Sequence, residues 1–212
     1  MGRMGLRELK KQQTRQAISH QATRLFLRHG FDRVTIADVA AAAQVAKMTV
    51  TNYFPRKEDL ALDLHEEFVA QPARTVAARA PGESALAALR RAFLEAVDRQ
   101  DAVIGFSGPD FARMISESPA LVARLREFHE EREHALAAVL AGESGTSPDD
   151  VVVRVAVAQL IGAHRVLFEE TLRRTIAGED RDEIAAALAA SAKDAFDLLE
   201  PSLGSYAVRP GP

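Results

Sequence analysis

Apolar residues recur along this chain at intervals of three and four, and the two-residue alternation of a half-buried strand is almost absent. That pattern confines the fold to packed α-helices. The nearest approach to a strand is Val151 to Val157, whose valines suit one. Its apolar pattern continues unbroken to Ile161, beyond the roughly 3–10 residues of a strand. The segment is therefore read as a helix that is apolar on most sides and must be buried on more than one face. The expected architecture is all-α, with about nine helices.

The N-terminal quarter holds the most specific pattern. A first helix is predicted over 7–29, with Ile18, Ala22, Leu25 and Phe26 as its apolar stripe and Gly30 just past its end. Thr35 is placed to cap a second helix over 36–43. Asp38, three residues on, can return a hydrogen bond to the cap amide, while Val34 and Val39 can close an apolar staple. Gln44, Val45 and Ala46 interrupt the period, and a third short helix over 47–54 stops before Pro55.

Two short helices across a tight turn, preceded by a longer one, describe a helix-turn-helix. With Ile36, Val39, Ala40, Val45, Val50 and Phe54 assigned inward, Lys47, Met48, Thr49, Thr51, Asn52 and Tyr53 remain outward. An α-helix fits the DNA major groove, and these side chains suit base-edge donors, acceptors and thymine methyls. The plainer reading is an αα-corner with a solvated polar face. Charge favours the first: through Leu60 there are 11 Lys+Arg against 5 Asp+Glu, and from Ala61 onward 16 against 25. A basic head on an acidic body fits a polyanion-binding unit joined to one that avoids polyanions.

The run from Gly30 to Ala40, then Val45, Thr49-Val50 and Tyr53-Phe54-Pro55-Arg56-Lys57-Glu58-Asp59-Leu60, resembles the TetR/AcrR family of bacterial one-component transcription regulators. The likeness covers about residues 17–64, and detail there and around Met114 to Leu125 is similar to actinobacterial members. The resemblance implies a homodimer on a roughly palindromic double-stranded DNA operator, with a small-molecule effector in a larger C-terminal domain. It also implies that Thr35, Tyr53 and Lys57 clamp phosphates. Three positions depart from the family: Gln44 where glycine is common, Ala46 where serine usually caps the third helix, and Thr51 where an aromatic is frequent. Lys57 has independent support, because a cation in a helix's first turn opposes the dipole unless an anion arrives there. Arg7, Lys10, Lys11 and Arg15 are expected to flank the DNA backbone.

Domains are expected at 1–56 for DNA binding, 57–200 for effector binding and dimerisation, and 201–212 as a flexible tail. Within the body, helices are predicted from 56 or 57 to about 70, then over 83–100, 110–116, 119–141, 147–177 and 182–199. Pro72 and Pro81-Gly82 are read as breaks.

No cysteine is present, nor a HExxH, G-x-S-x-G or phosphate-loop pattern, so catalysis, a metal and a cofactor are not expected. With no apolar signal core and no long uncharged run, the chain is expected in the cytoplasm without a membrane partner. His129 and His134 lie five apart on different faces and are read as solvated surface.

His164 and Gln159 interrupt an apolar helix. They are either satisfied internally or line an effector cavity walled by Phe93, Val97, Phe106, Phe111, Met114, Ile115, Phe128 and Phe168. Ile184, Leu188, Ala195, Phe196 and Leu199, widened by nearby alanines and joined to Val151 and Val155, offer more apolar surface than one protomer needs. Helices from two copies would then form a four-helix bundle. The functional expectation is a ligand-responsive repressor; the alternative is a constitutive DNA-binding or architectural dimer with no effector.

Overall fold

The computed structural model describes residues 5–211; Pro212 and the side chains of Leu6 and Arg7 lie outside that description, so the flanking role expected of Arg7 does too. The helices are α1 (Leu6–His29), α2 (Ile36–Ala42), α3 (Lys47–Tyr53), α4 (Lys57–Ala61), α5 (His65–Ala77), α6 (Ala85–Asp98), α7 (Pro109–Glu117), α8 (Pro119–Ser144), α9 (Val151–Ala177) and α10 (Arg181–Leu203). A 3-10 turn, Ala102–Ile104, lies between α6 and α7. Among the described residues there is no strand, and extended pairing is confined to one bridge between Ser84 and Val208.

The chain forms two compact units. One comprises the chain up to His65 together with Met114–Arg124; the other holds Glu66–Arg113 and everything from Leu125 on. In the first, α1 packs on α2 and α4. Ile18, Ala22, Phe26, Phe31, Val39, Val50, Phe54 and Leu60 are buried there, and the Phe26 and Phe31 rings sit 5.1 Å apart. Ile36 and Val45, expected inward, are half-buried. In the second unit α10 packs on α6 and α9 around a core that includes Leu86, Leu89, Phe93, Leu160, Leu188 and Phe196.

Several expectations fail locally for identifiable reasons. The helix predicted from 57 to 70 breaks after Ala61, because Leu62 leaves helical geometry at φ −104°, ψ 50°. The Asp63 carbonyl takes two hydrogen bonds from the Arg15 guanidinium at 3.1 Å, and its carboxylate takes one from Ser19, which fastens the break to α1. Pro72 does not interrupt its helix; it lies buried inside α5. The ninth helix starts at Val151 rather than 147, with Asp150 as its cap accepting from the amides of Val152 and Val153.

Over its described residues, 201–211, the tail is not frayed. Through Leu203 it continues α10, with Pro201 inside the last turn. Beyond, the amide of Arg209 donates to Glu83, and the amides of Gly82 and Ala85 donate to the carbonyls of Arg209 and Ala207. Arg79 locks that corner. Its guanidinium is 1% exposed, pairs bidentately with Glu143 at 2.6 and 2.8 Å, and reaches the carbonyls of Val76, Glu83 and Ala207.

By length and composition α9 would suffice to cross a bilayer, yet eleven of its residues, His164 among them, are buried within the protein. Such burial is what a core helix of a helical bundle shows. The expected dimer stripe also needs correction. Ile184, Leu188 and Phe196 are at most 1% exposed inside the protomer's own core, so they have no surface to offer a second copy. Ala195 and Leu199 are partly buried against that core. The outward apolar residues of α9 and α10 are instead Val151, Val152, Val155, Val166 and Leu198, each more than half exposed.

Candidate functional site

Local chemistry fixes the two short helices of the first unit. Thr35 caps α2: its hydroxyl accepts from the Asp38 amide at 3.2 Å, and Asp38 accepts from the Thr35 amide and hydroxyl at 2.8 and 2.7 Å. Those two donors hold the Asp38 carboxyl below the usual carboxylate range. The reverse turn that follows is closed by the Val45 amide donating to Ala40 at 3.0 Å, with Gln44 at φ +55°. That backbone conformation is the one glycine adopts without a steric cost, so Gln44 carries strain at the family's glycine position.

Val50 and Phe54 bury α3 against the rest of the unit, which turns the other face outward. Lys47 and Asn52 are exposed, Met48 is 70% exposed, and Thr49, Thr51 and Tyr53 are half-buried. The Thr51 hydroxyl is bonded back to the Met48 carbonyl at 3.1 Å, so its proton is already used. No side chain caps α3, because Ala46 has none to give.

The residues expected to clamp phosphates fare differently. Thr35 is exposed at the start of α2 and Tyr53 is half-buried. Lys57 is no free surface lysine: its ammonium donates to the carbonyls of Phe31 and Val34 at 2.9 and 3.2 Å and lies 4.2 Å from the Phe31 ring. Two of its three protons thus tie the α1–α2 loop to α4, and the third lies outside these two bonds. Arg15, expected as a DNA flank, is spent on Asp63 and lies over the Phe54 ring at 4.9 Å. Lys10 and Lys11 are exposed. The first unit also contains an ion pair between Asp59 and Arg124, Oδ1 to Nε 2.8 Å, with both side chains largely buried.

In the second unit, polar groups gather inside an aromatic shell. His164 is 3% exposed and lies between the rings of Phe93 and Phe196, at 5.4 and 5.6 Å. His129 is buried against Phe68 and Phe168, at 5.2 and 6.3 Å. One turn on from His129, Arg132 lies over the Phe68 ring at 4.3 Å. Burial, followed by the nearby Arg132 charge, pushes His164 down to about 3 and His129 to about 4, so both are neutral at pH 7. Burial alone lowers Arg132 to about 10, and it stays charged.

Of the expected pocket residues, the structure groups Phe93, His164, Phe168 and Phe128 with this shell; Phe128 lies 6.5 Å from Phe68. Val97 and Phe106 are buried core residues. Phe111 is half-buried, and Met114 belongs to the first unit. Gln159 leaves the set: it faces Ser202 of α10 at 3.5 Å on an exposed side.

Comparison with known proteins finds family matches in both parts of the chain. Residues 18–64 match the tetR family of bacterial regulatory proteins, and residues 83–204 match the MftR C-terminal domain. The transcriptional regulator TcmR of Streptomyces glaucescens is 30% identical over 217 residues, covering 98% of this chain and 92% of the relative. The chain belongs to the TetR family.

Solved structures on the same fold include Salmonella enterica GusR, with TM-score 0.55, 18% identity, and 90% and 95% of the two chains covered. Another is SmeT in complex with triclosan, with TM-score 0.56, 15% identity, and coverage of 94% and 96%. This TetR-family member is therefore a DNA-binding transcription regulator and not an enzyme.

Sequence reasoning missed the regulator's Phe68, His129 and Arg132, and had assigned His129 to solvated surface. The overlooked signal is the stripe Phe128, Arg132, Leu136, Leu140, one residue every four along α8, which places an arginine on the apolar face of its helix.

Proposed function

We propose that this regulator is a ligand-responsive repressor that binds a roughly palindromic operator as a homodimer in the cytoplasm and is released by a small-molecule effector. The observation that carries the reading is the outward face of α3, where Lys47, Met48 and Asn52 stand free while Val50 and Phe54 anchor the helix. Polar donors and an exposed thioether on one helix suit base edges and thymine methyls in the major groove. Dimerisation is supported by the outward Val151, Val152, Val155, Val166 and Leu198, apolar surface that a lone protomer leaves in water. The alternative, a constitutive architectural dimer, gives no reason for the buried basic groups of the second unit.

Selection of bound duplexes from a random pool tests the reading with full-length protein. The expected result is a two-fold symmetric site with half-sites about one helical turn apart. Asn52→Ala is expected to change which bases are selected. Lys57→Ala is expected to weaken every duplex alike and flatten the salt dependence. Because Lys57 also holds the Phe31 and Val34 carbonyls, its melting temperature is measured alongside, and equal losses for both variants on every duplex would refute the division of roles. A protein that ignores duplex DNA at low salt would refute the function.

A further inference from the structure

We infer that the second unit takes an anionic effector, a carboxylate or acidic phenol on an apolar body, whose charged oxygen is held by the buried guanidinium of Arg132 beside His129 and His164. The inference rests on the ligand-responsive reading and names the chemistry of its ligand.

Arg132 is 3% exposed, and among the described residues no carboxylate pairs with it and its Nε has no hydrogen-bond partner. Its guanidinium carbon lies 4.3 Å from the centre of the Phe68 ring. His129 Nδ1 and His164 Nε2 are also buried without partners. Three nitrogens of three side chains therefore wait unsatisfied in one aromatic-walled region, where buried polar atoms are normally paired. His129 and Arg132 share a face of α8 by their i, i+3 spacing, and His164 comes from α9. The Arg132 charge is near enough to lower both histidines, so the three belong to one electrostatic neighbourhood.

An oxyanion answers all three at once. The guanidinium fork matches a carboxylate bidentately, and a neutral imidazole presents one N–H donor. A cation would be repelled, and a neutral apolar ligand would leave the guanidinium unpaired. The surrounding rings of Phe68, Phe93, Phe168 and Phe196 supply the apolar body's walls.

The test uses full-length protein with 2-naphthoate, dodecanoate and the methyl ester of each. A saturating anion is expected to raise the melting temperature by about 5–10 °C at one hundred times its dissociation constant, with no comparable shift from either ester. A response to naphthoate alone assigns a flat body, and one to dodecanoate alone a chain; either supports the inference. Arg132→Met is expected to abolish the shift and to raise the melting temperature of the ligand-free protein. Arg132→Lys, which keeps the charge and loses the fork, is expected to weaken binding at least about tenfold.

The inference is overturned if neither anion shifts the wild type, if the esters act equally, if Arg132→Met melts lower without ligand, or if Arg132→Lys binds as well as wild type. Anion binding with unchanged affinity for the selected duplex would leave this site standing and remove the ligand-responsive repressor. Release from DNA by the esters alone would do the reverse.

Discussion

Two arginines of the second unit are equally buried and opposite in circumstance. Arg79 is 1% exposed and spends its guanidinium on Glu143 and on three carbonyls that join α5, the start of α6 and the C-terminal segment. Arg132 is 3% exposed and has an aromatic face but, among the described residues, no paired anion. A guanidinium is expensive to dehydrate, so the first geometry is what a structural arginine requires. The second is what the inferred anion site requires, a buried cation left for a partner from outside the chain. Burial alone does not tell a strut from a binding group; the count of satisfied donors does.

The most severe way to break that comparison is to remove the strut. Arg79→Met leaves Glu143 without its cation and removes the guanidinium donor from the carbonyls of Val76, Glu83 and Ala207. Hydrogen bonds to a charged group are worth about 1.5–3 kcal/mol each, so the loss is about 3 kcal/mol or more. Chemical denaturation should report a loss of that size. Arg132→Met should move the other way, a gain of about 1–3 kcal/mol, since it exchanges an uncompensated buried charge for an apolar side chain of similar length. If both variants lose stability alike, the two arginines are the same kind of residue and the contrast fails.

Acid sharpens the same contrast. Burial beside Phe93 and Phe196, followed by the neighbouring Arg132 charge and His129, depresses His164 to about 3, against 6.5 for an ordinary histidine. Its native pKa lies below the unfolded one, so above pH 6.5 folding loses nothing to its protonation. As pH falls from 6.5 toward 3 the unfolded chain gains the proton first and stability declines, by about 2 kcal/mol at pH 5. His164→Leu should remove that share of the acid slope, read from denaturation at pH 7 and pH 5. A bound anion should shallow the slope as well, because it favours the protonated imidazole in the native state.

The legible and illegible parts of the molecule divide along the same physical line. The capping box of Thr35 and Asp38, the turn at Gln44 and the split of α3 into Val50 and Phe54 inward, Lys47 and Asn52 outward, depend on neighbours within a few residues, and sequence spacing encodes them. The docking of the tail on Glu83 and the burial of Ile184, Leu188 and Phe196 depend on residues far along the chain. Periodicity identified an apolar stripe on α10, but not whether it faces the protomer's own core or a second copy. Arg132 was hidden for a different reason: a charged letter among Glu130, Glu131 and Glu133 reads as solvated helix unless its register with Phe128 and Leu136 is followed.

The smallest expected effect tests completed against open ends within the first unit. α2 begins with a closed capping box, whereas α3 begins at Ala46, in extended geometry with φ −69° and ψ 147° and no side-chain bond to its first amides. Opening the first cap with Thr35→Ala should cost about 1 kcal/mol, and closing the second with Ala46→Ser should gain about 1 kcal/mol, both measured as shifts in the denaturation midpoint. The two changes lie on different helices and should add in the double variant. Serine at 46 also supplies a hydroxyl at the head of α3, so its effect on duplex affinity separates two uses of an open cap. A tighter complex at every sequence would mean that Ala46 forgoes a phosphate contact, because a phosphate donor acts without regard to base. A change confined to particular bases would mean that the bare end of α3 sets how the helix enters the groove.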